Sequence, residues 1–236
     1  MGKAFFIAGT DTGVGKTFAS CALLEAAAEK GLSTMALKPM AAGCEQVDLG
    51  NGRTQWQNED AQLLQKHMTM DLPYAQINPI ALKEPASPHI AAALENKTPS
   101  ASRMTGFCRG ALMSRPDFAV IEGAGGWRVP ISPRETMADL ARQLDLKVIL
   151  VIALRLGCLN HAMLTAEAVR RDGLTLAGWI GNRVSADEMP YEADNIATLK
   201  SALGAPMIAC LPFSDDGGEN QPQSVCKFID LACLDL

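Results

Sequence analysis

What the chain lacks narrows its function first. No apolar run approaches the roughly 20 residues that a membrane-crossing helix needs; the longest, Val148 to Leu154, has the length of a buried strand. No succession of charged, apolar and small residues opens the sequence in the manner of a signal peptide. The expectation is a cytoplasmic protein with no membrane partner. Basic excess is absent too: the net charge is −5, and neither a basic arm nor a broad nucleic-acid surface is expected. The seven cysteines are scattered and never spaced as a metal knuckle, and His67, His89 and His161 lie far apart, so zinc is not indicated. The cysteines read as small core residues of a reducing compartment. There is no internal repeat, no low-complexity tract, and no Ser-His or Cys-His pair suited to nucleophilic catalysis.

What is present is concentrated near the start. Gly9-Thr10-Asp11-Thr12-Gly13-Val14-Gly15-Lys16-Thr17 follows the apolar run Ala4 to Ala8 and precedes a helical pattern. Strand, glycine-rich turn, Lys-Thr and helix form a phosphate cradle: backbone N–H groups close on the anion, the helix N-terminus adds positive potential, Lys16 adds a charge and Thr17 a Mg²⁺-binding hydroxyl. Five residues, rather than the usual four, separate Gly9 from Gly15.

Apolar runs at 4–8, 34–38, 118–121, 147–153, 176–181 and 207–211 alternate with helical patterns near 17–29, 58–68, 88–95, 137–145, 160–171 and 192–203. This alternation predicts a single α/β domain over residues 1–236, with a mostly parallel sheet and helices on both faces. Right-handed crossovers then gather the strand C-termini, and any ligand, at one edge. Segments 45–57 and 214–222 read as surface loops.

Three further groups fall at predicted strand ends or helix starts. Lys38 precedes Pro39 at the end of the second strand, and it reads equally as a solvated cation or a site residue until its place at the ligand edge is counted. Glu122 ends the third strand before Gly123-Ala124-Gly125-Gly126, as the second metal-binding element of phosphate-loop enzymes does. Asp60 lies in the first turn of a predicted helix, where an acid also complements the macrodipole. With Thr17, Asp60 and Glu122 could complete the oxygen shell of Mg²⁺.

These motifs, together with Ser87-Pro88-His89, Trp127 and Gly157-Cys158-Leu159-Asn160-His161, occur in an order that resembles the dethiobiotin synthetases. The resemblance implies a homodimeric, ATP- and Mg²⁺-dependent ligase that makes dethiobiotin from 7,8-diaminononanoate and CO₂. It implies nucleotide contacts at Gly13, Val14, Gly15, Lys16, Thr17, Phe18, Gly123, Ala124, Gly125, Asn182, Arg183, Pro212, Phe213, Ser214 and Glu219, and Mg²⁺ ligation by Thr17, Asp60 and Glu122. Lys16 and Lys38 become the catalytic cations. Thr12, Lys38 and Ala42 fall at the substrate, and Gly157, Cys158, Leu159 and Asn160 at its carboxylate tail across the dimer, with Asn160 also reading as a helix cap. Ala42 stands where the family usually has Ser or Thr.

A nucleotide switch of the chromosome-partitioning or septum-positioning kind shares the long loop. Such proteins carry a signature lysine where this chain has Asp11, and commonly a basic amphipathic end, whereas residues 228–236 hold Asp230 and Asp235 and no lysine. An amide ligase of the cobyrinate type would need a glutaminase domain as well, for which 236 residues leave no room.

Overall fold

The computed structural model describes residues 2–187, 189–213 and 221–236. In chain order the elements are β1 (Lys3–Gly9), α1 (Lys16–Glu29), β2 (Thr34–Leu37), β3 (Met40–Ala41), β4 (Glu45–Asp48), β5 (Thr54–Gln57), α2 (Glu59–His67), α3 (Tyr74–Ile77), β6 (Ile80–Ala81), α4 (Pro88–Leu94) and α5 (Ala101–Leu112). There follow β7 (Phe118–Gly126), α6 (Met137–Leu144), β8 (Lys147–Ala153), α7 (Cys158–Arg171), β9 (Leu176–Asn182), α8 (Glu192–Ala202), β10 (Met207–Leu211) and α9 (Gln221–Val225).

Six strands form one sheet in the order β10-β9-β8-β1-β7-β2, every pair parallel. Its central strands are nearly continuous apolar runs because both faces are covered: Phe6, Ile7, Val120, Ile121 and Val148 to Ile152 are all fully buried. α1 lies in this core through an alanine-rich sequence, with Ala19, Ala22, Leu23, Leu24 and Ala27 at 0 % exposure. No helix among the described residues is long and apolar enough to cross a membrane.

Topology and register assemble the ligand edge. β1 lies between β7 and β8, so the loop after β1 opens at the point where the chain changes direction across the sheet. Leu37 pairs with Ile121, which sets the next residues, Lys38 and Glu122, side by side.

Four expectations are corrected. Segment 45–57 contains an antiparallel hairpin, β4 paired with β5, around a Gly50-Asn51-Gly52 turn; its strands are short and polar, so the alternation is weak. β7 does not stop at Ile121 but runs on through the glycines to Gly126. Residues 221 and 222, read as loop, open α9, while 214–220 lie outside the described residues. Asn160 does not cap α7: Gly157 is the N-cap, and Cys158 to Asn160 form the first turn. The sequence reading also passed over α5, whose buried stripe of Ala101, Met104, Thr105 and Cys108 has helical spacing but little hydrophobicity.

Candidate functional site

The loop between β1 and α1 takes its shape from glycine. Gly15 has φ +82° and caps α1, and a Cβ there would meet Asn182 Nδ2 at 2.0 Å. At Gly9 a Cβ would stand 2.9 Å from the Asp11 carbonyl oxygen and 2.8 Å from Val14. A side chain at Gly9 would force the loop open, and one at Gly15 would strain the left-handed backbone and displace the Asn182 amide. Lys16 Nζ donates to the Asp11 carbonyl at 3.1 Å, folding its charge over the loop. Burial, then the neighbouring Lys38 charge, lowers the Lys16 pKa to about 8. An arriving anion would restore it.

Beside the loop lies a cluster built from α1, α2, β7 and the residue that follows β2. Glu122 on β7 is 1 % exposed, and its Oε1 accepts from Lys38 Nζ at 2.5 Å and from the Thr17 hydroxyl at 2.9 Å. Its Oε2 accepts from the Ser20 hydroxyl at 2.9 Å. Lys38 Nζ also reaches Asp60 Oδ2 at 2.9 Å. Burial works against the Lys38 charge, but the Glu122 and Asp60 carboxylates outweigh it and raise its pKa above the usual lysine value. Burial also opposes the Asp60 charge, and Lys38 overcomes it, leaving that carboxyl below its ordinary pKa. Lys38 is therefore a cation, held by the residues read as metal ligands.

The Lys38 backbone is fixed as firmly as its side chain. Its N–H donates to the Ile77 carbonyl, and its carbonyl accepts from Asn78 Nδ2 at 2.7 Å. Tyr74 donates its hydroxyl to Asn78 at 3.1 Å and accepts from the Asn58 N–H at 2.7 Å. Burial, opposed by the Asn58 N–H, pushes the tyrosine pKa up to about 12, which keeps the donor proton in place. Asn58 in turn caps α2 by accepting from the Ala61 N–H, and so sets Asp60 in the first turn.

A cavity of about 510 Å³ opens over this cluster. Of the expected site residues, Thr12, Gly13, Gly15, Lys16, Thr17, Lys38, Ala42, Asp60, Ala124 and Gly125 line it. Asn182 joins from β9: its Nδ2 donates to the Val14 carbonyl at 3.0 Å, while its buried Oδ1 has no partner among the described residues. Arg183 is tied to Glu192 at 2.6 Å, with Pro212 and Phe213 following β10, half-buried. Ser214 and Glu219 lie outside the described residues. Gly157 to Asn160 are not in the cavity lining; the Cys158 side chain is buried while Gly157 and Asn160 face outward.

The sequence reading missed Ser20, Asn58, Tyr74 and Asn78. Only Ser20 carried a signal, its position three residues after Thr17 on one helix face. Ser87 and Pro88, quoted as a motif without a role, line the cavity with Pro85 and Ala86.

A profile of the AAA domain family matches residues 3–221. An ATP-dependent dethiobiotin synthetase of Marinobacter nauticus is 50 % identical, the match covering 98 % of this chain and 97 % of that one. The enzyme of the same name from Cellvibrio japonicus is also 50 % identical, over 89 % of each chain. Among solved structures, a ParA family ATPase from Chlorobium tepidum superposes with a TM-score of 0.58 over 100 % of both chains at 15 % identity. That likeness concerns the fold.

Proposed function

This chain belongs to the dethiobiotin synthetase family, and from that premise we propose that it closes the ureido ring of dethiobiotin from 7,8-diaminononanoate and CO₂, with ATP and Mg²⁺. It is an ATP-dependent ligase of biotin biosynthesis. The observation that carries the finer reading is the Lys38 ammonium set between Glu122 and Asp60 on the wall of the cavity that the phosphate loop shares.

One amine of the diamine captures CO₂ as a carbamate, and a carbamate oxygen attacks the γ-phosphorus, releasing ADP. The second amine then attacks the carbonyl of the mixed anhydride, phosphate leaves, and the ring is closed. No protein nucleophile takes part. The site's work is to position reactants and neutralise charge. Lys16 would hold the β- and γ-phosphate oxygens, and Lys38 would steady the carbamate and the phosphoryl oxygens as charge moves between them.

The donor set fits Mg²⁺. Thr17, Asp60 and Glu122 offer oxygen alone, and the two carboxylates already hold a cation in Lys38. Such an ion would complete its shell with phosphate oxygens and water. When bound, Mg²⁺ supplies charge neutralisation at the phosphate oxygens. Asn182 Oδ1, a buried acceptor with no donor among the described residues, suits the amino group of adenine.

A second copy of the chain would hold the substrate's carboxylate tail at the N-terminus of α7. Leu156 there is 93 % exposed, with Leu164 at 58 % and Met163 at 37 % on the same helix, an apolar surface suited to a partner subunit.

The test is to incubate the protein with 7,8-diaminononanoate, bicarbonate and MgATP and to look for dethiobiotin by mass. ATP hydrolysis without that product would overturn the reading in favour of a switch, and a strictly monomeric active protein would remove the shared site.

A further inference from the structure

We propose that Ser20 is a positioning residue that fixes Glu122 as a metal ligand; this rests on the Mg²⁺ reading above. Thr17 and Ser20 stand three residues apart on one face of α1, and each donates its hydroxyl to a different oxygen of the same carboxylate, both at 2.9 Å. Oε1 also receives Lys38. Among the described residues, Oε2 receives Ser20.

The terminal torsion of a glutamate is broad, so the backbone of β7 does not decide which way the carboxylate turns. Ser20 decides it. Its bond pins Oε2 against α1 and leaves Oε1 toward Thr17 and Lys38. Ser20 is 0 % exposed and Glu122 1 %, so bulk solvent does not supply the donor in its place. The surrounding helix argues against a packing role: α1 has alanine at 19, 22, 26, 27 and 28, and alanine is the better helix former. A serine at 20 is there for its hydroxyl.

Partners that orient a metal ligand change metal affinity by about 10–100-fold when removed. The experiment titrates Mn²⁺, followed by electron paramagnetic resonance, into the full chain with a non-hydrolysable ATP analogue. Ser20→Ala should weaken Mn²⁺ at least about tenfold, with metal-free binding of the analogue unchanged, and Ser20→Thr, which keeps the hydroxyl, should restore the affinity. Wild-type Mn²⁺ affinity in Ser20→Ala overturns the proposal, as does equal loss of metal and metal-free nucleotide binding, which a merely structural role would give. Should the alanine variant not fold, Ser20→Cys makes the same comparison with a weak donor in place of a strong one. Absence of Mn²⁺ binding in the wild-type chain would instead overturn the Mg²⁺ reading, and this inference with it.

Discussion

Lys38 Nζ lies 2.5 Å from Glu122 Oε1, a contact between two side chains that are 4 % and 0 % exposed. It ties the end of β2 to β7 and sets a fixed positive charge on the cavity wall. Lys38→Ala leaves a buried carboxylate with two hydroxyl partners and no cation, a loss of about 3–5 kcal/mol for a pair of this kind. Turnover should fall by about a hundredfold or more, while nucleotide binding, which rests on the loop, persists. Steady-state kinetics beside a nucleotide-binding titration separate the two effects. Retained turnover would remove Lys38 from the chemistry.

Asn182 and Gly15 form a second pair, in close contact. Gly15→Ala combines a positive φ with a contact at 2.0 Å to Asn182 Nδ2, so nucleotide binding should be lost. Asn182→Ala deletes the bond to Val14 and the unpaired acceptor, and ATP should bind about two- to tenfold more weakly. A fluorescent ATP analogue reports both. If Asn182→Ala binds ATP as tightly as the wild-type chain, the adenine assignment is wrong.

The loop, the six-stranded sheet and the places of Lys38 and Glu122 at strand ends were legible in the sequence because each has a local signal: glycines around Lys-Thr, unbroken apolar runs, and charged residues just past them. Asp60, an acid in the first turn of a helix, has little local signal, and only the oxygen shell of Mg²⁺ and the family resemblance brought it in. Where packing rather than pattern decides, the signal faded. β7 continues through Gly123, where a Cβ would stand 3.1 Å from the Phe6 ring, so glycines that mark a close approach were read as a turn. α5 buries weakly apolar residues, and the network of Asn58, Tyr74 and Asn78 behind Lys38 is a product of tertiary structure with no spacing of its own.

Ala42 lines the cavity and offers no hydroxyl there, and its carbonyl is occupied by Asn58 Nδ2 at 3.3 Å. Ala42→Ser would add one neutral hydrogen bond to the diamine or its carbamate, worth about 0.5–1.5 kcal/mol. The apparent KM for the diamine should drop, with kcat nearly unchanged. Identical kinetics in the two proteins would show that Ala42 faces no substrate polar group.

Asp117 joins β7 to the start of β2: its Oδ2 accepts from the Ser33 hydroxyl at 2.6 Å and the Ser33 N–H at 2.9 Å. The hydroxyl bond first, then the backbone bond, holds its pKa below the usual aspartate value. A lowered folded-state pKa contributes stability that is present above the unfolded-state pKa of about 3.9 and lost as pH falls through the folded value. Asp117→Ala should therefore melt below the wild-type chain near neutral pH, and the gap should close in acid. A gap in Tm that stays constant across that range would contradict the assignment.

Asp172, the C-cap of α7, holds the chain that follows β7. Its Oδ2 accepts from Trp127 Nε1 at 2.7 Å and its Oδ1 from Arg128 at 2.9 Å, while Trp127, 4 % exposed, sets its ring against the edge of Phe6. Gly125 and Val129, on either side of this anchor, line the cavity. Asp172→Ala leaves the indole N–H buried without an acceptor, at about 1–3 kcal/mol, which for a chain of this size corresponds to a fall of about 2–12 °C in Tm. Because the loosened segment lines the cavity, KM for the reactants should rise. Asp172→Asn keeps an oxygen for the indole and should recover most of the stability. Unchanged KM values would mean that the anchor serves the fold alone.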